Sequence, residues 1–483
     1  NDPRYKDYKQ GQKISLEWIN GPTEAIVIKD DSIDMEFGTG VMTITPWHSD
    51  VDFEIAKKHN LDKEQIIDMR GKLLPIAGEF AGMKITEARE KIVEKLRAKG
   101  LLEKIDEKYI HSVPVCYKCE TVIEPQILPQ WFVKMQGLAK KAGDAVRAKK
   151  ITFLPDNYRK IFLHWMENSI DWNISRQIVW GIPIPAKICD ACKNGFPDLE
   201  DTMTACPKCK NILRADTDTF DTWFSSGQWP LVALGYPNSD DFKTFYPTDV
   251  MESGSDLIFK WIPRMVIFGL YLAKKVPFKT VYLHGLVNDA KGQKMSKSKG
   301  NVINPLDITD KYGTDALRIG LVVGNTPGTS LALDENRIKG YKNFANKIWN
   351  ASKFVLMNTQ DFRGVKKTAL STEQKKHSKE LQKLVKETTK LMDDFKFYIA
   401  SEKIYHYFWH TFCDKIIEES KKDLAEAKTR LATQQMLLEI LQTSLKLLHP
   451  FMPFITEEIY QQLPINSPAG EKKPCLMIEN WPT

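Results

Sequence analysis

The run KMSKSKGN, from Lys294 to Asn301, carries three lysines and two serines and ends in a Gly-Asn pair. Three lysines this close together cannot all enter a hydrophobic core, so the segment is either solvated or faces an anion. A cation-rich backbone between Gly292 and Gly300 is typical of a mobile loop that closes over phosphates. A charged surface turn is the alternative that any lysine cluster allows.

The composition indicates a large protein built from ordinary folded domains. A chain of 483 residues predicts two to four domains, and 42% hydrophobic with 27% charged residues is normal for such domains. No apolar run approaches the length of a membrane span, and no secretion signal is recognisable, so we expect a cytoplasmic protein without a membrane segment. The net charge of +7 favours a polyanionic partner.

Six of the eight cysteines occur as Cys-x-x-Cys pairs, which in such a chain indicates zinc rather than disulfides. Two pairs, Cys189/Cys192 and Cys206/Cys209, are separated by a polar loop and predict a closed, structural four-thiolate site. Four unligated thiols on an exposed loop are the alternative. The third pair, Cys116/Cys119, supplies only two ligands, with no second pair nearby, so metal binding there stays open.

Two segments predict a ligand-binding sheet edge. Residues 250–253 predict a strand that ends in a glycine turn followed by Asp256, and residues 280–283 predict a strand that delivers His284 at its carboxyl end. Open α/β sheets bind ligands at that edge, where carboxylates hydrogen-bond ribose hydroxyls. A Gly-x-Asp helix cap and a structural histidine are the alternatives.

The two ends of the chain differ in pattern. Residues 14–19 and 24–28 predict short strands separated by the Asn20-Gly21-Pro22 turn, and residues 86–106 predict an amphipathic helix. Residues 335–463 predict mostly helices, with leucines at three-to-four spacing and lysines opposite, hence a helical bundle with one basic side.

In chain order these motifs resemble class I aminoacyl-tRNA synthetases, whose KMSKS loop closes on the triphosphate of ATP. The resemblance extends to the run KYGTDALR (Lys311–Arg318), and three further runs favour the valyl members of the family: PWHSDVDFEIAKKH (Pro46–His59), DTWFSS (Asp221–Ser226) and NFANKIWNASKF (Asn343–Phe354). The implied architecture is multidomain α/β, with the C-terminal part of a β-rich editing domain (1–125), the second half of a Rossmann-type catalytic domain (126–335, with a zinc ribbon at 187–212 and the KMSKS loop at 290–305) and a helical anticodon-binding domain (336–483).

The resemblance also implies site residues. It implies an ATP site formed by Gly254, Asp256, His284, Gly285, Val287, Lys294, Met295, Ser296, Lys297 and Ser298, with Lys294 and Lys297 catalytic. Trp223 and Trp261 would wall the amino-acid pocket. Phe37, Thr43, Ser49 and Asp52 would form the editing site, although lysine and aspartate are usual where Thr43 and Ser49 stand. The implied cofactors are ATP, Mg²⁺ and structural Zn²⁺, and the implied partners of this expected monomer are valine and tRNA(Val).

One expected motif is missing from the sequence. Class I synthetases bind ATP phosphates with a HIGH-type histidine motif, and none of the nine histidines lies in such a pattern. We therefore expect a chain truncated at its N-terminus, and possibly at its C-terminus, that is inactive alone. Two alternatives remain open: a non-catalytic tRNA-binding or assembly module, and an isoleucyl-tRNA synthetase.

Overall fold

The computed structural model describes residues 2–110, 112–116, 119–296, 300–362, 369–464 and 473–483, and the backbone of 466–467 and 470–471. The chain divides into two compact units, Asn1–Gln130 and Trp131–Thr483. In the part of the chain that is described, no helix is long and apolar enough to cross a membrane.

The first unit contains one antiparallel hairpin, formed by strand β1 (Lys13–Trp18) and strand β2 (Gly21–Ile26). The turn between them is Ile19-Asn20, because Trp18 already pairs with Gly21. The turn predicted at Asn20-Gly21-Pro22 is therefore wrong for Gly21 and Pro22. Both lie in β2, where Pro22 is opposite Glu17. A two-stranded ribbon consists of edge strands, where proline is tolerated because its nitrogen need not donate.

The described residues of this unit also form two α-helices, α1 (Asp50–His59) and α2 (Ile85–Ala98), and two short 3₁₀ helices, Pro3–Tyr5 and Pro75–Phe80. The sequence predicted that the second helix would continue to residue 106, and this is wrong. Gly100 has a φ of +68°, in the left-handed region, and Leu101 donates its amide to Leu96. Glycine in this conformation ends a helix.

The second unit supplies the remaining elements. Its strands are β3 (Phe132–Val133), β4 (Thr152–Leu154), β5 (Trp172–Asn173), β6 (Ser175–Arg176), β7 (Ala186–Ile188), β8 (Gly195–Pro197), β9 (Arg214–Ala215), β10 (Thr219–Phe220), β11 (Thr248–Gly254), β12 (Phe278–His284), β13 (Val287–Asn288), β14 (Leu331–Ala332), β15 (Asn466–Ser467) and β16 (Gly470–Glu471). Its helices are α3 (Gln136–Arg147), α4 (Asn157–Glu167), α5 (Thr222–Ser226), α6 (Trp229–Val232), α7 (Asp240–Phe245), α8 (Trp261–Phe268), α9 (Pro305–Tyr312), α10 (Thr314–Val322), α11 (Glu335–Asn358), α12 (Thr372–Asp393), α13 (Phe397–His406), α14 (Ile417–Ala425), α15 (Ala427–Leu448) and α16 (Pro453–Gln462).

A parallel sheet in the order β11-β12-β4 forms the centre of the α/β part. Its middle strand contributes Val281 and Leu283 to a core that also contains Ile262 and Val266 of α8 and Phe162 of α4. These five side chains are buried. Helices packed on a parallel sheet are the arrangement that places ligands at the carboxyl ends of the strands.

Helices α11 to α16 form a bundle with its own apolar core. Leu437, Leu441, Leu445 and Leu448 of α15 are all fully buried, which confirms the leucine spacing predicted for this region. A π-helical segment, Tyr407–Ile416, continues α13 into α14.

Candidate functional site

The predicted sheet edge is present. Strands β11 and β12 run parallel with Gly254 paired to His284, so both residues lie at the carboxyl end of the sheet. A 3₁₀ turn, Ser255–Phe259, follows β11 directly and has Asp256 in its first turn. The structure thus brings Gly254, Asp256 and His284 together at the edge where parallel sheets bind ligands.

Gly285 lies where two backbone segments approach most closely. A Cβ atom at this position would lie 1.8 Å from the carbonyl oxygen of Thr329. The approach is fixed on both sides, because the Gly328 amide donates to Leu283 (2.8 Å) and the Leu331 amide donates to Leu286 (2.9 Å). Val287 begins β13, which pairs with β14. Glycine is therefore required at 285, and the sheet edge there consists of backbone.

The imidazole ring of His284 is held at both nitrogens. Its Nδ1 lies 2.7 Å from the carbonyl oxygen of Gly285, and its Nε2 lies 3.1 Å from Oε1 of Glu252. Sequence reasoning missed Glu252. The strand register offers a signal, because Glu252 pairs with Tyr282, and Tyr282 is two residues before His284 and so shares its face of the sheet.

The base of the KMSKS loop is closed by Asp289 and Asn301. The Asn301 side chain donates to Asp289 Oδ2 (2.9 Å) and accepts from the Ser296 amide (2.9 Å). The Asn301 hydrogen bond, together with bonds from the Gln293 and Lys291 amides, lowers the pKa of Asp289. The carboxylate therefore organises the loop as an ionised acceptor.

The loop is also attached through apolar contacts. Met295 and Ile303 pack against a small core that contains Leu317 of α10 and Ile338 of α11. Lys294 forms a β-bridge with Asn288, and its side chain is exposed. Two residues assigned to the loop's ATP site, Lys297 and Ser298, lie outside the described residues.

The two tryptophans assigned to the amino-acid pocket lie on helices that pack together, Trp223 on α5 and Trp261 on α8. The Trp261 indole donates to the Ser226 carbonyl (2.8 Å), and the Lys260 ammonium lies 5.9 Å from the centre of the Trp223 ring. Both rings are half-buried. The structure therefore places both tryptophans on helices that contact each other, and their role in an amino-acid pocket stays a prediction.

Asp221, which sequence reasoning did not single out, positions this region. Its side chain accepts from the Trp223 amide (3.3 Å) and the Trp172 indole (2.9 Å), and it pairs with Arg176 at 3.0 Å. The residue is buried. An aspartate followed by an aromatic run is a recognisable N-cap signal, but its two distant partners are not visible in sequence.

The four cysteines of the predicted ribbon converge. Their sulfur atoms all lie within 4.8 Å of one another, with Cys189 and Cys206 buried. All four lie in segments that connect the strands of the sheet ordered β8-β7-β9. Tetrahedral Zn²⁺ with Zn–S bonds of about 2.3 Å needs sulfurs separated by about 3.8 Å, so the set fits zinc. The Asn211 side chain donates to Cys209 Sγ (3.3 Å), and this bond, together with hydrogen bonds from the Asn211 amide, Cys189 and Cys206, lowers the pKa of Cys209 to about 6.

The described residues around Cys116 and Cys119 share two backbone features with the second ribbon turn. The Cys116 amide donates to Thr121 (2.9 Å), as the Cys206 amide donates to Asn211 (2.8 Å). The residue after the second cysteine has a positive φ in both turns, +58° at Glu120 and +64° at Lys210. Among the described residues, only the four ribbon cysteines form a group of three or more candidate ligands. Metal binding by Cys116 and Cys119 therefore stays a prediction.

The residues assigned to editing occupy one helix start and one irregular segment. Ser49 caps α1 by accepting from the Asp52 amide (3.3 Å), and buried Asp52 accepts from the Thr45 amide (2.8 Å). Thr43 and Phe37 are exposed. The structure thus gives Ser49 a local role as a helix cap, which the sequence analysis did not predict.

Comparison with known proteins decides the family. Residues 5–334 match the family of class I tRNA synthetases (I, L, M and V), and residues 374–483 match the anticodon-binding domain of tRNA ligase. The first match covers more than half of the chain. The chain belongs to the class I tRNA synthetases.

The synthetase chain is similar along its whole length to valine–tRNA ligases. It is 42% identical to that of Pseudothermotoga lettingae over 483 residues, which are all of this chain and 55% of that protein. It is 43% identical to the valine–tRNA ligase of Thermotoga maritima over 483 residues, which are all of this chain and 54% of that protein. The chain spans about half the length of these curated relatives.

A solved structure supports the fold of the synthetase chain. Methionyl-tRNA synthetase of Mycobacterium tuberculosis in complex with methionyl-adenylate has a TM-score of 0.59 and 18% identity, covering 75% of this chain and 68% of that one. The predicted α/β catalytic fold followed by a helical domain is confirmed.

Proposed function

We propose that this chain is part of a valine–tRNA ligase, which activates valine with ATP and transfers it to tRNA(Val). The observation that carries the proposal is the identity of 42–43% with valine–tRNA ligases along the whole chain. The isoleucyl alternative belongs to the same matched family, so the relatives, and not the family match, favour valine.

The sheet edge would bind the nucleotide. Asp256 would accept hydrogen bonds from the ribose hydroxyls, and the bare backbone at Gly254 would let the nucleoside approach closely. Gly285 would hold the edge in place, because its missing side chain accommodates the backbone of Thr329. His284 and Val287 flank that approach. Mg²⁺ would neutralise the phosphate oxygens, as it does in other phosphoryl-transfer sites.

Lys294 and Lys297 would stabilise the transition state of activation. Valine's carboxylate attacks the α-phosphate, and negative charge grows on the phosphate oxygens and the departing pyrophosphate. Cations that meet this charge more closely in the transition state than in the ground state raise the rate. The exposed side chain of Lys294 supports this role, as do the residues that hold the loop's base.

Trp223 and Trp261 would bound the side chain of valine, and threonine would enter the same pocket. A pocket of this kind cannot strongly reject an isostere that adds only a hydroxyl, so a second hydrolytic site is needed. We propose that Phe37, Thr43 and Asp52 belong to that site. Ser49 would contribute mainly by fixing the start of α1, because its side chain caps the helix.

Structural zinc would be held by Cys189, Cys192, Cys206 and Cys209, and it would supply only a fixed crosslink between two turns. We propose that Cys116 and Cys119 hold a second zinc together with ligands outside the described residues. The two backbone features shared with the second ribbon turn support the assignment.

The test is valine-dependent ATP–pyrophosphate exchange by the gene product at its natural length. We expect exchange with valine and much weaker exchange with isoleucine. Lys294→Ala should lower the rate by about 100-fold or more, as loss of a transition-state contact does. Lys291→Ala is the matched control, because Lys291 is exposed in the same loop but lies outside the KMSKS motif. Stronger exchange with isoleucine would show that the pocket assignment is wrong.

A second candidate is a tRNA-binding or assembly module without catalysis. The match of residues 374–483 to an anticodon-binding domain favours it as strongly as it favours a ligase. Binding of tRNA(Val) with no amino-acid-dependent exchange at natural length would establish this candidate. In either case we propose a cytoplasmic monomer, which size-exclusion chromatography with light scattering tests.

A further inference from the structure

Helix α16 is capped by a residue far away in the chain. Its own N-cap residue, Met452, provides no side-chain hydrogen bond. The first amides of a helix have no partner within the helix and need another acceptor. Asp315, in the first turn of α10, supplies it, since Oδ1 accepts from the Phe454 amide (3.2 Å) and Oδ2 accepts from the Ile455 amide (2.7 Å).

Two further contacts join α10 to the same corner. The Arg318 guanidinium donates to the Pro450 carbonyl (3.2 Å), just before α16 begins. Within the corner, His449 Nδ1 and Thr456 Oγ1 lie 2.8 Å apart. Asp315 is buried, and this burial raises its pKa despite the two amides. The carboxylate of Asp315 is therefore buried, which disfavours its charge, and each of its oxygens accepts one amide hydrogen bond from α16.

The helix that carries Asp315 also supports the KMSKS loop. Ala316 and Leu317, the next two residues of α10, belong to the small core against which Met295 and Ile303 pack. One side of α10 therefore holds the stem of the loop, and its first turn holds the start of α16. Helix α10 therefore contacts both the stem of the loop and the start of α16, and Ile338 of α11 belongs to the same small core.

We propose that Asp315 is a positioning residue for amino-acid activation, which fixes α10 and the attached KMSKS loop to the helical domain by capping α16. The kinetic part of the test rests on the proposed function, whereas the hydrogen-exchange part does not depend on it. A helix that is free to tilt would displace the loop's stem, and with it Lys294, from the nucleotide.

The experiment compares Asp315→Ala, Asp315→Asn and Ser371→Ala in the natural-length protein. Ser371 is the matched control, because it caps α12 in the same bundle through the Gln374 amide (3.2 Å). Amide hydrogen exchange measures the effect on the structure. The KM for ATP and the kcat of valine-dependent ATP–pyrophosphate exchange measure the effect on the reaction. Asparagine caps helices well but offers one acceptor oxygen, so Asp315→Asn should fold and give intermediate values.

For Asp315→Ala we expect about tenfold faster hydrogen exchange at the Phe454 and Ile455 amides and at the Gln293 amide of the loop's stem. We also expect the KM for ATP to rise or kcat to fall by about fivefold to tenfold, with Asp315→Asn between. Ser371→Ala should leave these amides and both kinetic constants within twofold of the wild type.

Two outcomes would overturn the inference. In the first, exchange at Phe454 and Ile455 accelerates while the Gln293 amide and the kinetics match those of Ser371→Ala, which would make Asp315 a structural cap only. In the second, Asp315→Asn and Asp315→Ala leave all amides unchanged. Absence of valine-dependent exchange in the wild type would instead defeat the proposed function, and the amide at Gln293 would still decide the coupling.

Discussion

Replacing Gly285 with alanine should break the sheet edge at the candidate nucleotide site. The new Cβ would lie 1.8 Å from the Thr329 carbonyl oxygen, whereas real Cβ atoms essentially never approach another heavy atom within 3.0 Å. The two backbones must therefore separate by at least about 1.2 Å. Such a shift breaks the bonds from Gly328 to Leu283 and from Leu331 to Leu286, which are 2.8 and 2.9 Å long.

The expected cost follows from these contacts. Overpacking costs about 1–3 kcal/mol, and each of the two lost backbone hydrogen bonds costs about 1 kcal/mol, so local stability should fall by at least about 3 kcal/mol. Because about 1.4 kcal/mol corresponds to a factor of ten, the Gly328 and Leu331 amides should exchange with solvent roughly 100-fold faster. Hydrogen-exchange mass spectrometry of peptides that span residues 325–334 measures this.

Gly340 provides the control for the same substitution. It lies inside α11, and a Cβ there would meet nothing within 4 Å. Gly340→Ala should therefore stabilise the bundle by about 0.5–1 kcal/mol, since alanine is the better helix former. Wild-type exchange rates at Gly328 and Leu331 in Gly285→Ala would refute the reasoning, because the backbone would then have room that the structure denies it.

Three other outcomes are expected. Cys206→Ser should remove one equivalent of zinc, measured by metal analysis, whereas Cys475→Ser should not, because Cys475 lies outside the four-cysteine group. Burial alone would raise the pKa of Glu479, but hydrogen bonds from Lys446 and Tyr460 lower it from 4.5 to about 2. These bonds to the Glu479 carboxylate therefore stabilise the bundle above about pH 4.5, and their contribution is lost as the pH falls to about 2. Glu479→Gln should flatten this part of the pH dependence of the unfolding free energy, measured by urea titration. The 483-residue chain alone should show no valine-dependent pyrophosphate exchange, because its sequence contains no HIGH-type motif.

Features that depend on nearby residues were predictable from sequence. The two ribbon turns each close within six residues, from Cys189 to Asn194 and from Cys206 to Asn211, so spacing alone identifies the four-thiolate group. The strands that end at Gly254 and His284 were also predictable, because a short run of β-forming residues that meets a glycine marks a strand end. Leucine spacing identified α15 for the same reason.

Features that depend on distant partners were not predictable. Asp315 and the Ile455 amide are 140 residues apart in the chain, and no periodicity links an aspartate in one helix to the uncapped start of another. Glu252 and Asp221 were missed because their partners come from other strands. The end of α2 was misplaced for a different reason: apolar spacing continued to Leu101, but the left-handed Gly100 ended the helix.

The position of Lys294 changes how the KMSKS loop should be understood. A loop that closes over phosphates was expected to carry its cations on a mobile segment. Lys294, however, bridges to Asn288, and its neighbours are held by Asn301 and by the core beneath Met295. The backbone of Lys294 is therefore positioned by the stem, so in the proposed function the orientation of the stem would also determine how closely this side chain approaches the nucleotide. Because α10 packs against the stem, the role proposed for Asp315 would extend to the placement of Lys294 at the nucleotide.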